Sequence, residues 1–157
     1  MIYGTRALVL GLILALVAPA AVSAGDESTG EGERGAIEAA ARDYIDGWYE
    51  GDAERIARGL HPDLAKRVVR TLPSGSQIVS GLTYNTMVEY TKSGFGSKSK
   101  KPDQVNEVVI LDVSPTTASV KTVSHEYIDY LHLAKIGGQW RIINVLWEPN
   151  PTSAAKE

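Results

Sequence analysis

Residues 127–147 read YIDYLHLAKIGGQWRIINVLW and carry the clearest structural pattern in the chain. Apolar residues run through it on both sides of a single pair of adjacent glycines, Gly137 and Gly138. Two adjacent glycines tolerate the positive φ angles that a two-residue hairpin turn requires. The stretch therefore predicts two antiparallel strands, residues 127–135 and 139–147, joined by a tight turn.

The turn also predicts which side chains share a face of the hairpin, because side chains alternate along a strand. If Ile136 pairs with Gln139, then Leu131 faces Asn144 and Asp129 faces Leu146. The inner face is predicted to carry Tyr127, Asp129, Leu131, Leu133, Lys135, Trp140, Ile142, Asn144 and Leu146. The outer face is predicted to carry Ile128, Tyr130, His132, Ala134, Arg141, Ile143, Val145 and Trp147. Both faces are largely apolar, so we expect helices to cover the inner face and a second subunit to cover the outer one.

Upstream of the hairpin, two more strands are predicted over residues 104–113 and 118–124, which makes a four-stranded antiparallel sheet. Helical spacing predicts a first helix over residues 37–50 and a second over residues 53–60. A third helix is predicted after Pro62, carrying Leu64, Ala65, Val68 and Val69. A short strand over residues 77–80 and a helix capped by Thr83 follow. Helices first and strands after predict an α+β fold, with N-terminal helices packed on the sheet.

The N-terminal stretch is predicted to be a signal peptide of residues 1–24, cleaved after Ala24. Its apolar run, residues 7–17, is too short to span a bilayer, and small residues precede the predicted cleavage site. We therefore expect a periplasmic or secreted protein without a stable membrane anchor. Residues 25–34, GDESTGEGER, predict a flexible linker. The folded domain is predicted over residues 35–149 and a flexible tail over residues 150–157.

Composition and motifs narrow the classes of function. The net charge of −3 gives no reason to expect nucleic acid as a partner. The sequence has no cysteine, and its three histidines form no HxH or HxxxH pair, so we expect neither a metal nor another cofactor. It also lacks a Gly-x-Ser-x-Gly elbow and a phosphate-binding glycine loop.

Several motifs resemble one known family. They are ARDYIDGWY (41–49), LHP (60–62), ILDV (110–113), ASVK (118–121), DYLHLAK (129–135), GQWRIIN (138–144) and Trp147. These motifs resemble the putative lumazine-binding family of the nuclear transport factor 2-like (NTF2-like) superfamily, which includes ketosteroid isomerases and polyketide cyclases. The resemblance implies a cystatin-like cone, in which a bent sheet wraps the first helix and leaves a pocket at its open end. It also implies a homodimer through the outer sheet face.

Asp129 is the main candidate for chemistry, because a carboxyl among apolar neighbours can act as a general acid or base. The alternative is that a backbone amide or a tyrosine hydroxyl holds it in a structural role. Asn144 is predicted to lie near it and to orient a ligand or to close the core. Trp140 is interpreted as core and Trp147 as interface. The predicted ligand-binding residues are Tyr44, Trp48, Tyr84, Met87, Tyr127, Asp129 and Asn144.

Three functions compete at this point. The first is an exported protein that binds a small apolar or aromatic molecule between the first helix and the sheet. The second is an isomerase, dehydratase or cyclase in which Asp129 transfers a proton and Tyr44 or Asn144 polarises a carbonyl group. The third is an assembly or interaction module whose pocket is filled by its own side chains.

Overall fold

The computed structural model describes residue 1 and residues 24–152. Three helices and six strands lie within residues 24–152. They are α1 (Ala24–Glu50), α2 (Ala53–Gly59), β1 (Leu60–Thr71), β2 (Gln77–Thr83), α3 (Tyr84–Lys92), β3 (Glu107–Val113), β4 (Thr117–Val123), β5 (Tyr127–Ile136) and β6 (Gln139–Pro149). The predicted signal peptide falls almost wholly on residues outside the described ones. None of the helices in residues 24–152 is long and apolar enough to cross a membrane.

All the described strands belong to one six-stranded sheet in the order β2-β1-β6-β5-β4-β3. Neighbouring strands are antiparallel except β1 and β6, which are parallel. The predicted α+β class is confirmed, whereas the predicted count of four strands was too low. The predicted hairpin turn is present, with φ angles of 57° at Gly137 and 79° at Gly138.

One predicted helix is a strand. Residues 60–71 form β1, and Leu64, Lys66 and Val68 are buried while Val69 is exposed. Leu64 and Val68 are four residues apart, a spacing that fits both helical and strand periodicity. Long-range pairing decides between them: from Ala65 onward β1 pairs with β2 on one side and β6 on the other. Pro62 lies before that paired stretch, where its missing N–H removes no ladder hydrogen bond.

The first helix is longer than predicted. α1 begins at Ala24 and includes residues 25–34, which were predicted to be a flexible linker. Glu33 joins this end of the helix to the sheet: Lys135 Nζ and Trp140 Nε1 donate to its carboxylate at 2.5 and 2.6 Å. The composition of residues 25–34 predicted disorder. It could not show the contacts of Glu33, because both partners lie more than a hundred residues away in sequence.

A bulge in β6 corrects the predicted register. The predicted pairing holds from Ile136 with Gln139 to Leu133 with Ile142, and then shifts by one residue. His132 faces Asn144 and Asp129 faces Trp147, so Ile143 is the extra residue of the bulge. The shift buries Val145 fully and moves Asn144 to the outer face. The predicted faces of Asn144, Val145, Leu146 and Trp147 were therefore wrong. Burying an apolar side chain in place of an amide favours this register.

The core lies between α1 and the inner face of the sheet. Its side chains come from all three helices, the start of β1, and strands β4 to β6. The most completely buried are Ile37, Tyr49, Ile56, Leu60, Val120, Leu131, Leu133, Ile142 and Val145. Asp52 caps α2 and Thr83 caps α3, as their sequence positions predict. This packing fixes α1 across the sheet and sets the geometry of the site beneath it.

Candidate functional site

A cavity of about 220 Å³ lies between α1, α3 and the inner face of the sheet. Most of its wall is aromatic or aliphatic. The lining residues are Tyr44, Ile45, Trp48, Lys66, Arg70, Leu82, Met87, Tyr90, Phe95, Tyr127, Asp129 and Trp147. Three of them, Tyr44, Lys66 and Asp129, form a buried polar cluster, and Arg70 is exposed.

The polar cluster is held by three short contacts. Tyr44 donates its hydroxyl hydrogen to Asp129 Oδ1 over 2.8 Å. Lys66 Nζ donates to the same oxygen over 2.5 Å and to the Tyr44 hydroxyl over 2.6 Å. Lys66 and Asp129 are the only charged residues buried among residues 30–152, with exposed fractions of 7% and 1%. The lysine and the aspartate therefore form an ion pair inside the protein.

Each member of the cluster comes from a different element. Tyr44 projects from the C-terminal half of α1, and Asp129 lies on the inner face of β5 opposite Trp147. Lys66 lies between Leu82 of β2 and Val145 of β6. Because side chains alternate along β1, Lys66 points to the inner face together with Leu64 and Val68. The parallel pairing of β1 with β6 brings Lys66 to Asp129 across 63 positions of sequence.

Burial dominates the electrostatics of the cluster. It lowers the pKa of the Lys66 ammonium, and the attraction of Asp129 offsets only part of that effect. Burial and then the neighbouring charge of Asp129 raise the pKa of the Tyr44 hydroxyl well above its ordinary value. Lys66 Nζ also lies 5.0 Å from the ring centroid of Trp147 and 5.3 Å from that of Tyr44, within cation–π range.

One hydrogen-bond acceptor and one donor of the cluster have no partner among the described residues. Asp129 Oδ1 accepts both hydrogen bonds, and Oδ2 accepts none from the part of the chain that the structure describes. A lysine ammonium has three N–H groups, and Lys66 uses two of them. The cluster can thus offer a ligand one N–H donor beside one carboxylate oxygen. That combination can bind a carbonyl oxygen and accept a proton from the neighbouring carbon.

Aromatic packing shapes the walls. The Tyr127 and Trp147 rings meet edge to face at 5.1 Å, and Tyr90 stacks on Phe95 at 4.6 Å. The turn after α3 closes over Trp48, since a Cβ on Gly96 would lie 2.4 Å from the Trp48 carbonyl oxygen. Only glycine fits there. Phe95, the residue before this close approach, is the residue of the turn that lines the cavity.

The structure brings five of the predicted site residues to the cavity, namely Tyr44, Trp48, Met87, Tyr127 and Asp129. Tyr84 packs against the core but does not line the cavity. Asn144 lies on the opposite face of the sheet, where Arg67 donates to its Oδ1 over 2.9 Å and His132 Nδ1 lies 3.1 Å from its amide nitrogen. The prediction that Asn144 orients a ligand beside Asp129 was wrong, because the bulge reverses its direction.

Sequence reasoning missed Lys66 and misplaced Trp147. Lys66 fell on a segment predicted to be helical, and Trp147 was assigned to the outer face. The alternation of Leu64, Lys66 and Val68 was a usable signal for Lys66 once residues 60–71 are taken as a strand. Within residues 24–152, no group of three or more His, Asp or Glu residues is arranged to hold a metal ion.

Comparison with solved structures defines the class of protein first. An NTF2-like protein from Shewanella baltica superposes with a TM-score of 0.57 over 77% of this chain and 96% of that one, at 15% identity. A ketosteroid isomerase-like protein from Erwinia carotovora gives 0.54 over 74% and 95%, at 19% identity. These likenesses define an NTF2-like fold. The family whose description is "Putative lumazine-binding" matches residues 32–148, and this chain belongs to that family. The predicted resemblance is confirmed.

A curated relative is more similar in sequence than these structures. It is the aldolase FrzH from a Cladobotryum species, which is 27% identical over 125 residues and matches 76% of this chain and 93% of its own length. A putative scytalone dehydratase from Novosphingobium aromaticivorans also shares the fold, with a TM-score of 0.54 over 79% of this chain and 88% of that one, at 17% identity.

Proposed function

We propose that this protein binds a small organic molecule in the cavity beneath α1, with an oxygen of the ligand directed at Lys66. The observation that carries the proposal is the buried Lys66–Asp129 ion pair within an otherwise aromatic and aliphatic wall. Binding sites for small molecules commonly combine apolar walls with a few fixed polar groups. The third N–H of Lys66 supplies the donor, and the rings of Tyr127 and Trp147 supply flat apolar surface.

The size of the cavity limits the ligand. Its volume of about 220 Å³ lies below the roughly 300–1,000 Å³ typical of pockets for drug-sized ligands. We therefore expect a compact molecule of one or two rings. An unfilled volume beside an ion pair also counts against an assembly module whose pocket is packed with its own side chains.

A thermal-shift screen of small aromatic and alicyclic carbonyl compounds tests binding, because a ligand that binds the native state raises the melting temperature. Leu82→Trp should abolish the shift by filling the cavity. Val105→Trp is the matched control, since Val105 lies outside the sheet, is 86% exposed and does not line the cavity. A shift that survives Leu82→Trp, or no shift with any compound, would contradict the proposal.

A second candidate function is catalysis of proton transfer next to a carbonyl group, as in an isomerase, a dehydratase or an aldolase. The specific observation in its favour is the unused Asp129 Oδ2 beside the Lys66 ammonium. In this scheme Lys66 polarises the carbonyl, and Asp129 accepts the proton from the adjacent carbon. Lys66 takes the polarising role that was predicted for Tyr44 or Asn144. The relative named an aldolase supports this class of reaction.

Exchange of carbon-bound hydrogen in D₂O, followed by proton NMR on the ketones that bind, tests this second function. We expect the protein to accelerate exchange at the carbon next to the carbonyl, and Asp129→Asn to lower the rate by roughly 10²–10⁴-fold. Asp112→Asn, at an exposed acid on β3, is the matched control. Equal exchange rates for Asp129→Asn and the unaltered protein would exclude Asp129 as the base.

We also propose that the protein is exported to the periplasm or secreted, on the strength of the apolar run at residues 7–17 and the small residues before Ala24. N-terminal sequencing of protein recovered from the producing cell should begin at Gly25. Recovery of the intact N-terminus from the cytoplasm would contradict this localisation.

A further inference from the structure

We propose that Lys66 forms a protonated imine with an aldehyde or ketone bound in the cavity, which makes it a covalent catalytic residue. This inference rests on the proposed function, because it requires a carbonyl compound to enter the same cavity. It goes further in naming the bond that forms and the atom that forms it.

The placement of the amine supports this chemistry. Lys66 Nζ lies at the cavity wall, at the end of a side chain enclosed by the rings of Tyr44 and Trp147. No other lysine among residues 30–152 is buried. A carbonyl group that enters the cavity therefore meets this amine in a site with apolar walls, where little water competes for the carbonyl carbon.

The neighbours of Lys66 can handle the protons. An amine attacks a carbonyl only in its neutral form, and burial lowers the pKa of Lys66, which increases the neutral fraction near neutral pH. Asp129 Oδ1 lies 2.5 Å from Nζ and can take the proton directly. The Tyr44 hydroxyl contacts both groups, so it can keep the cluster connected while the proton moves.

The step balances without an oxidant or a reductant. The Lys66 ammonium gives one proton to Asp129, and the nitrogen lone pair forms a C–N bond as the carbonyl π bond breaks. The carbonyl oxygen takes a second proton from the nitrogen and becomes a hydroxyl group. Asp129 returns its proton to that hydroxyl, which leaves as water as the C=N bond forms. The net change is ammonium plus carbonyl compound to protonated imine plus water.

Reductive trapping tests the inference. The folded protein is incubated at neutral pH with benzaldehyde and cyanoborohydride, which reduces an imine to a stable secondary amine, and the modified lysines are identified by peptide mass mapping. We expect Lys66 to be modified at least roughly tenfold faster than exposed Lys100, because the cavity holds the aldehyde beside Nζ and burial favours the neutral amine. Lys66→Arg keeps the positive charge and should lose only the cavity label.

Two further arms make the outcome decisive. Pyrene-1-carboxaldehyde is too large for the cavity and should label Lys100 but not Lys66. Leu82→Trp should lower Lys66 labelling by benzaldehyde at least roughly tenfold, because the aldehyde is no longer held beside Nζ, and leave Lys100 unchanged. Labelling of Lys66 no faster than Lys100, or equal labelling of Lys66 by both aldehydes, would overturn the inference.

The same samples separate this inference from the proposed function. Benzyl alcohol has the ring but no carbonyl group, so it reports binding without reaction. If benzyl alcohol raises the melting temperature, and Leu82→Trp abolishes that shift, while benzaldehyde leaves Lys66 unlabelled, binding stands and imine formation fails. If neither compound binds or labels, both proposals fail.

Discussion

At the scale of single residues, the Lys66–Asp129 pair places two opposite charges in the interior of the protein. Removing an ion from water costs several kcal/mol, and a buried pair recovers this cost only when its geometry and hydrogen bonds are good. Here Tyr44 supplies the additional hydrogen bond, and the Trp147 ring faces the ammonium. Such a pair contributes little net stability compared with apolar residues, so a role toward a ligand gives a better reason for it than folding does.

Replacing one member of the pair should therefore lower the free energy of unfolding more than the loss of the ion pair alone would, because it leaves the other charge buried without a partner. Lys66→Met leaves the Asp129 carboxylate buried without a countercharge, and we expect a loss of about 3–5 kcal/mol in the free energy of unfolding. Lys66→Met combined with Asp129→Asn should cost less than the sum of the two single changes, because the amide is neutral and still accepts from Tyr44. Urea unfolding measures all three variants, with Lys100→Met as a surface control. Strict additivity would show that the two charges are not coupled.

The buried hydroxyl of Tyr49 should make the stability of the protein depend on pH in the alkaline range. This hydroxyl lies 2.9 Å from Ser124 Oγ and 3.1 Å from a Glu126 carboxylate oxygen. Burial is the main cause that raises its pKa. A group whose pKa is raised in the folded state stabilises the protein fully at pH values below its unfolded pKa, which is about 10 for tyrosine. This stabilisation is lost as the pH rises beyond that value.

We expect the free energy of unfolding to fall between about pH 9.5 and 11, and to fall less steeply in Tyr49→Phe. Urea unfolding at several pH values measures the slope, and Tyr90→Phe is the control at an exposed ring. An unchanged slope in Tyr49→Phe would assign the alkaline loss to other groups.

At the scale of elements, β1 and β6 decide the site. The two strands are parallel neighbours, and β6 carries the bulge that turns Trp147 inward and Asn144 outward. The Gly137–Gly138 turn sets the start of this register, and the bulge then changes it by one residue. The cavity therefore depends on a turn at one end of the hairpin and on an irregularity in its middle.

The positive φ angle in this turn predicts a loss of stability when Gly138 is replaced. Gly138→Ala places a Cβ at a φ of 79°, which should lower the free energy of unfolding by about 1–2 kcal/mol. Gly81→Ala is the matched control within β2, because its new Cβ would make only an ordinary contact of 3.6 Å. Urea unfolding compares the two. Equal losses at both positions would show that the left-handed backbone is not the cause.

At the scale of the whole molecule, the outer sheet face exposes apolar side chains. Tyr130 and Leu146 face each other on β5 and β6, with exposed fractions of 40% and 51%, and Val69, Val79 and Leu111 are exposed on other strands. We propose that a second copy of this chain covers this face, because contiguous exposed apolar surface marks an interface.

Sedimentation velocity tests this proposal. We expect a dimer that Leu146→Arg converts to a monomer, because an arginine at the centre of the interface would be buried without a partner. Val105→Arg, at an 86% exposed residue outside the sheet, should leave the dimer intact. A monomer at every concentration, or a dimer unaffected by Leu146→Arg, would contradict the proposal.

Features that depend on neighbouring residues could be predicted from the sequence. Alternation and paired glycines predicted the final hairpin, Asp52 and Thr83 predicted the starts of two helices, and helical spacing placed Tyr44 and Trp48 toward the sheet. Asp129 was also predicted on the inner face, because only β6 and not β5 contains the bulge. These features are local: a turn, a cap or a period acts over a few residues.

Three other features depend on contacts between distant parts of the chain. Whether residues 62–69 form a helix or a strand depends on pairing with β2 and β6, and the direction of Asn144 depends on whether Val145 or the amide is buried. Lys66 became a site residue only when parallel pairing carried it to Asp129. The physical reason is common to all three: burial and long-range hydrogen bonding outweigh local preferences, and their partners are distant in sequence.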